Sequence, residues 1–124
     1  MQNRKKILIV EDEAIVAMEI EFLLQSTGYS VVGKATNSNK AIDLAIKFLP
    51  DIILMDVNIK GNCNGIEASQ EILKFSKPVI IFVTAYNDAE TKLKLEIIKP
   101  HFFLPKPFSP EDLRKVICVA VSTN

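Results

Sequence analysis

Five short apolar runs, alternating with longer segments of helical period, constrain the fold of this chain more than any other feature. The runs lie at 6–10, 30–35, 52–55, 79–83 and 102–104. Strands that alternate with helices are typical of a parallel sheet covered by helices. The clearest runs lack apolar/polar alternation, which indicates strands buried on both faces. We therefore predict an α/β fold with a doubly wound, five-stranded parallel sheet.

Helical spacing of apolar residues fills the segments between these runs. The first helix is predicted to end near Gly28 and the second before Pro50, because glycine favours helix ends and proline cannot continue a helix. The third and fourth are predicted over about 65–75 and 88–98. The last begins with an N-cap residue, Ser109, and carries a clear apolar stripe.

Length and charge limit the possible functions. The 124 residues favour one domain covering 1–124, and 48% hydrophobic with 24% charged residues is a globular composition. Fifteen basic and fifteen acidic residues give a formal net charge of zero. The chain as a whole therefore has no general attraction for nucleic acid or an anionic membrane, and any electrostatic function must be local.

The sequence pattern indicates neither a membrane-spanning helix nor a secretory signal. No apolar run approaches the roughly 18 residues that a membrane-spanning helix needs, and the basic start at 4–6 is followed by only four apolar residues before acidic ones. Two cysteines are too few for a disulfide framework. We expect a cytoplasmic protein.

Polar residues follow four of the five apolar runs. They are Glu11, Asp12 and Glu13 after the first run, Asp56 and Asn58 after the third, Thr84 after the fourth, and Lys106 after the fifth. The carboxyl ends of parallel strands meet at one edge of the sheet, where ligands bind in this architecture. The sequence therefore predicts a functional site at this edge.

Each of these residues also has an ordinary structural explanation. Acidic residues such as Glu11 and Asp12 can stabilise the start of a helix, Asp56 can open an Asx-turn, and Lys106 can be a surface lysine. Their joint placement at four strand ends favours a common site instead.

The charges at this edge predict a divalent cation. Glu11, Asp12 and Asp56 would bring about three negative charges together, which Lys106 offsets only in part. Oxygen ligands favour Mg²⁺, and a single histidine, His101, argues against a transition metal. A metal and an ammonium facing a carboxylate suit phosphoryl transfer, with Asp56 as the nucleophile.

Four short motifs, in the right order, resemble those of the receiver domain of two-component response regulators. They are Val10-Glu11-Asp12-Glu13, Leu54-Met55-Asp56, Thr84-Ala85 and Lys106-Pro107-Phe108. The likeness runs from Ile7 to about Val121. It implies the flavodoxin-like (βα)5 fold of that family, with strand order 2-1-3-4-5.

The resemblance implies a role for each metal-site residue. Asp12 would bind Mg²⁺ directly, and Glu11 would act through a bound water. Asp56 would be both a ligand and the phosphoacceptor. Asn58 would offer its backbone carbonyl to the metal.

The resemblance also implies a switch. Thr84 would donate its hydroxyl to the phosphoryl group, Lys106 would pair with another of its oxygens, and Phe103 would swing inward after Thr84 moves. The Lys106–Pro107 peptide bond would be cis. The surface that changes would comprise the fourth helix, the fifth strand and the fifth helix.

By this resemblance, the chain takes a phosphoryl group from a sensor histidine kinase or a phosphotransfer protein and assists its own phosphorylation and dephosphorylation. A downstream effector or a second copy would read the switched surface. A haloacid-dehalogenase-type enzyme needs an acid where Asn58 stands, and an amide cannot transfer that proton. The alternative that stays open is a pseudo-receiver that binds proteins without phosphorylation, and the sequence does not decide whether the chain is free-standing or part of a larger regulator.

Overall fold

Residues 4–85 and 101–123 are described by the computed structural model. The strands are β1 (Lys6–Val10), β2 (Ser30–Ala35), β3 (Ile52–Asp56), β4 (Val79–Ala85) and β5 (His101–Lys106). The helices in these ranges are α1 (Ala14–Ser26), α2 (Ser38–Phe48), α3 (Gly65–Ile72) and α4 (Pro110–Thr123). The helix predicted over 88–98 lies outside the described residues.

The five strands form one parallel sheet in the order β2-β1-β3-β4-β5. This confirms both the predicted fold class and the predicted strand order. The chain leaves β1 toward one edge of the sheet and returns to build the other half from β3 outward. Ligands of such sheets bind beyond the carboxyl ends of the strands where this direction reverses, and here those are the ends of β1 and β3.

Three strands are longer than predicted, and each extension takes in a candidate site residue. Asp56 pairs with Val83, and Thr84 pairs with Pro105, so both continue the parallel ladder. Lys106 is likewise the last residue of β5. The apolar runs stop before these residues, but backbone pairing with a neighbouring strand does not depend on an apolar side chain. These three site residues therefore lie on the sheet itself, whereas Glu11, Asp12 and Asn58 follow the ends of β1 and β3.

Apolar side chains form a separate core on each face of the sheet. One cluster packs under α2 and α3 and includes Leu8, Ile53 and Phe82. The other packs under α1 and α4 and includes Ile9 and Leu54. The central strands β1, β3 and β4 supply buried side chains to both clusters, as predicted for strands without alternation.

Side-chain caps begin three of the helices. The N-cap Asn37 of α2 accepts from the backbone N–H of Lys40, and Asn64 and Glu67 form a capping box at α3. At α4, Ser109 Oγ accepts from the backbone N–H of Asp112, whose carboxylate accepts in turn from that of Ser109. This confirms the predicted N-cap of the last helix. Helix α3 ends at Ile72, earlier than predicted.

Three further structural findings bear on expectations from the sequence. Within residues 4–85 and 101–123, no helix is long and apolar enough to cross a membrane. Cys63 and Cys118 are both free thiols. The Lys106–Pro107 peptide bond is cis, as the resemblance implied.

Candidate functional site

Three carboxylates converge where β1 and β3 end. One oxygen each from Glu11, Asp12 and Asp56 lies within 4.8 Å of the other two. The side chains of Glu11 and Asp56 are buried, whereas that of Asp12 is more open to solvent. The convergence follows from the sheet order, because β1 and β3 are direct neighbours and their buried apolar runs end level with each other.

Glu11 is held by the start of α1. Its Oε2 accepts from the backbone N–H of Glu13 at 3.2 Å. Glu13 is the N-cap residue of α1, and its own side chain makes no cap hydrogen bond. The acidic residues 11–13 therefore do not simply cap α1, because Glu11, the most buried of them, points into the carboxylate cluster.

Lys106 is shared between two of the carboxylates. Its Nζ lies 3.4 Å from Glu11 Oε1 and 3.4 Å from Asp56 Oδ2. The backbone N–H of Asn58 donates to the other Asp56 oxygen, Oδ1, at 3.0 Å. The β5 end and the loop after β3 thus fix the Asp56 carboxylate from two sides.

Burial and charge shift two pKa values at this site. Burial raises the pKa of the Glu11 carboxyl, and the nearby Asp56 charge raises it further, against the lowering effects of the Glu13 N–H and Lys106. Burial by itself would lower the pKa of Lys106, but attraction to Asp56 and Glu11 outweighs it and the pKa is raised. Lys106 therefore stays protonated at neutral pH. It offsets only part of the negative charge of the cluster.

The donor set fits Mg²⁺. Three carboxylates and one ammonium leave about two negative charges in excess, and one divalent cation would neutralise them. The three carboxylates offer oxygen donors, which hard cations prefer, and Mg²⁺ keeps places for water and phosphate oxygens. Asp12, Glu11 and Asp56 are the residues that would hold the ion.

Thr84 carries a buried hydroxyl near the end of β4. Its side chain is 1% exposed, and Oγ1 has no hydrogen-bond partner among residues 4–85 and 101–123. An unpaired buried hydroxyl costs about 1–3 kcal/mol. A bound group with an acceptor oxygen would remove this cost, as the role expected for Thr84 requires.

Phe103 lies on the same face of the sheet as Thr84. It pairs with Phe82 across β4 and β5, and Thr84 follows Phe82 by two residues. Phe103 is partly buried and packs against the cluster under α2 and α3. The two proposed switch residues are therefore diagonal neighbours on adjacent strands.

The sequence did not reveal the importance of Gly65, the first residue of α3. A Cβ at this position would contact the Asp56 carbonyl oxygen and stand 3.0 Å from its carbonyl carbon. The helix thus begins against the backbone of the phosphoacceptor candidate. The one available signal was the capping box from Asn64 to Glu67, which marks the helix start but not this contact.

Glu11→Gln is expected to stabilise the metal-free protein at pH 7 by about 1 kcal/mol, or roughly 4 °C in Tm. The substitution removes a buried charge. A carboxyl with a raised pKa in the folded state favours folding when protonated, and this contribution is lost as pH rises through the folded pKa. The stability gain from Glu11→Gln should therefore shrink as the pH is lowered from 7 toward 4.5, the ordinary pKa of a glutamate carboxyl.

Thermal unfolding in EDTA across this pH range tests the prediction. Glu19→Gln, at an exposed position of α1, is the matched control and should change Tm little at any pH. A lower Tm for Glu11→Gln at pH 7, or a difference that does not vary with pH, would contradict the expected cost of burying the Glu11 charge.

Comparison with known proteins identifies the family of this chain. The family model for the response regulator receiver domain matches residues 7–118. The chain is 35% identical over 117 residues to the phyllosphere-induced regulator PhyR of Methylorubrum extorquens, covering 94% of this chain and 43% of that protein. It is also 35% identical to the chemotaxis protein CheY of Thermotoga maritima, covering 90% of this chain and 97% of CheY.

A solved structure shows the same architecture. The signal receiver domain of a modulated diguanylate cyclase from Desulfovibrio desulfuricans G20 superposes with a TM-score of 0.88 at 30% identity, covering 98% of this chain and 96% of that one. The chain spans about half the length of PhyR and of the mycobacterial regulator PdtaR. Taken with the sheet order and the acidic edge, the match over nearly the whole chain shows that this protein belongs to the receiver domain family of two-component response regulators.

Proposed function

We propose that Asp56 accepts a phosphoryl group in a Mg²⁺-dependent reaction and that the new charge switches the surface around β5. The observation that carries this proposal is the arrangement around Asp56. A buried carboxylate stands beside two other acids, is contacted by the Lys106 ammonium, and lies at the same sheet edge as the Thr84 hydroxyl, which has no hydrogen-bond partner in the described part of the chain.

The proposed phosphoryl transfer needs no reactant other than Asp56 and the phosphorylated donor. A carboxylate oxygen of Asp56 attacks phosphorus while the phosphorus–nitrogen bond of a donor phosphohistidine breaks. The electron pair of that bond leaves with the imidazole nitrogen. Magnesium held by the acids would supply positive charge toward the phosphoryl oxygens.

The chain's own residues orient and neutralise the transferred group. Lys106 is already 3.4 Å from Asp56 Oδ2, so its ammonium is placed to pair with an oxygen of a phosphoryl group on that carboxylate. The Asn58 N–H keeps the carboxylate in one orientation. Thr84 would donate its hydroxyl to another phosphoryl oxygen and so satisfy a buried polar atom.

Movement of Thr84 would open space on the face that it shares with Phe103. An inward turn of Phe103 would then change the surface formed by β5, α4 and the predicted helix at 88–98. Such a switch needs two states that differ by only a few kcal/mol, so that one charged group can decide between them.

The proposed partners follow from this chemistry. A sensor histidine kinase or a phosphotransfer protein would donate the phosphoryl group. A downstream effector, or a second copy of the chain, would bind the switched surface. PhyR is named as a regulator. For this chain, a regulatory output of this kind is part of the proposal.

The test is phosphorylation by a small donor. After incubation with acetyl phosphate and Mg²⁺, intact-mass measurement is expected to show one added phosphoryl group on the wild-type protein, and none when EDTA replaces Mg²⁺. Acetyl phosphate loses its phosphoryl group as acetate leaves, so no kinase is needed. An unchanged mass with Mg²⁺ would contradict the proposal and favour a pseudo-receiver.

A further inference from the structure

We propose that Ser38, the first residue of α2, is a positioning residue for the metal and phosphoacceptor site, acting through the β3–α3 loop (57–64). This inference rests on the proposed function of Asp56. Ser38 does not belong to the carboxylate cluster. Its side chain is nevertheless 0% exposed, and both its backbone N–H and its hydroxyl contact the loop that follows Asp56.

The start of α2 binds this loop by three hydrogen bonds. The backbone N–H of Ser38 donates to the Lys60 carbonyl at 2.8 Å, and Ser38 Oγ accepts from the backbone N–H of Cys63 at 3.2 Å. Beside it, Asn39 Oδ1 accepts from the backbone N–H of Asn62 at 3.2 Å. The side chains of buried Ser38 and exposed Asn39 thus bind the consecutive loop residues Cys63 and Asn62.

Gly61 shows how closely the loop approaches α2. Its φ is +121°, a conformation that residues with a side chain rarely adopt. A Cβ at this position would also contact Ser38 Oγ and lie 2.9 Å from the Ser38 backbone nitrogen. The loop is therefore shaped to fit against the helix start.

The other end of the same loop orients Asp56. The Asn58 N–H donates to Asp56 Oδ1 at 3.0 Å, and the Ile59 N–H donates to the Asp56 carbonyl at 3.3 Å. Ile59 is 4% exposed and packs in the cluster under α2 and α3. One end of the loop thus contacts the phosphoacceptor, and the other end is fixed to α2.

These contacts make Ser38 a determinant of metal affinity rather than of the chemical step. Without the Ser38 hydroxyl, the Cys63 N–H loses its acceptor and the loop can take up other conformations. Binding of Mg²⁺ would then have to order the loop, at the expense of affinity. Once the ion is bound, Asp56 and Lys106 are in place and the reaction should run at nearly the wild-type rate.

The experiment compares four variants of the full chain with the wild type. They are Ser38→Ala, Asn39→Ala, Lys40→Ala as the matched surface control on the same helix, and Asp12→Ala as the reference for a lost ligand. Isothermal titration with MgCl₂ gives Kd, and intact mass after acetyl phosphate gives the phosphorylation rate at saturating Mg²⁺. Amide hydrogen exchange of 57–64 in EDTA measures loop order without any metal.

We expect Kd for Mg²⁺ to rise roughly tenfold in Ser38→Ala, the size typical of residues that support metal ligands. A rise of about threefold is expected in Asn39→Ala, which loses one ordinary hydrogen bond. Loop exchange should be faster in both variants, the rate at saturating Mg²⁺ should stay within about twofold of the wild type, and Lys40→Ala should match the wild type throughout.

The outcomes separate this inference from the proposed function. A wild-type Kd in a folded Ser38→Ala protein would overturn the positioning role of Ser38 and leave the proposed role of Asp56 intact. If Ser38→Ala does not fold, a wild-type Kd in Asn39→Ala would overturn it. A wild-type protein that binds no Mg²⁺ would overturn both. Asn39→Ala keeps the inference testable if Ser38→Ala does not fold, because Asn39 is exposed and its removal leaves the core unchanged.

Discussion

Asp56→Asn is expected to abolish phosphorylation by acetyl phosphate, while the wild-type protein gains one phosphoryl group under the same conditions. The amide oxygen is a poor nucleophile at neutral pH, so no bond to phosphorus forms. The substitution keeps the size of the side chain, and the amide oxygen can still accept from the Asn58 N–H as Oδ1 does now. Loss of the reaction would therefore reflect chemistry rather than misfolding.

The control for Asp56→Asn is Asp43→Asn, on an exposed position of α2, which should be phosphorylated like the wild type. Fragmentation of the phosphorylated wild-type protein should locate the added mass at Asp56. Equal phosphorylation of Asp56→Asn and wild type would show that another residue is the acceptor. It would leave Asp56 as one member of an acidic cation site.

Gly65→Ala is expected to lower the free energy of unfolding by about 2 kcal/mol. Alanine in a helix gains about 1 kcal/mol over glycine from propensity, which alone would predict stabilisation. The new Cβ, however, would meet backbone atoms of Asp56 and Val57, and overpacking costs up to about 3 kcal/mol. Backbone at the end of β3 cannot move aside without disturbing the ladder to β4, so the steric cost exceeds the gain.

Thermal unfolding measures this effect, and the expected decrease in Tm is roughly 8 °C for a domain of this size. Gly33→Ala is the matched control. Its Cβ would meet side-chain atoms of Leu44 at 3.1 Å and Leu8 at 3.5 Å, and side-chain ends can shift, so a change within about 1 kcal/mol is expected. A Tm for Gly65→Ala at or above that of the wild type would mean that α3 moves away freely from Asp56.

The parallel α/β class and most of the element boundaries could be predicted from local patterns, whereas the strand order was implied by the resemblance to receiver domains. Apolar runs such as 52–55 mark buried strands, and breakers such as Gly28 and Pro50 mark helix ends. The extension of β3, β4 and β5 through Asp56, Thr84 and Lys106 could not be predicted in this way. Pairing of these polar residues depends on the neighbouring strand, which a local pattern does not contain.

The residues of the candidate site likewise divide into those that local patterns predict and those that they do not. Their placement at strand ends predicted that Glu11, Asp12 and Asp56 lie close together. The structure places one oxygen of each within 4.8 Å of the other two. Ser38 and Gly65 could not be found in the same way. A serine at a helix start and a glycine after an asparagine are ordinary local signals, and their importance arises from segments that are distant in sequence.

The amino-acid order by itself determined the type of fold, the edge of the sheet that carries the acidic cluster, and the residues that reach it. These depend on hydrophobic periodicity and on the fixed direction of parallel strands, both of which are local or general properties. Only the tertiary structure decided that Lys106 is shared between Glu11 and Asp56, that the Thr84 hydroxyl is buried without a partner among the described residues, and that α2 holds the loop after β3. Distances between groups far apart in the chain are set by packing, and packing is a property of the folded whole.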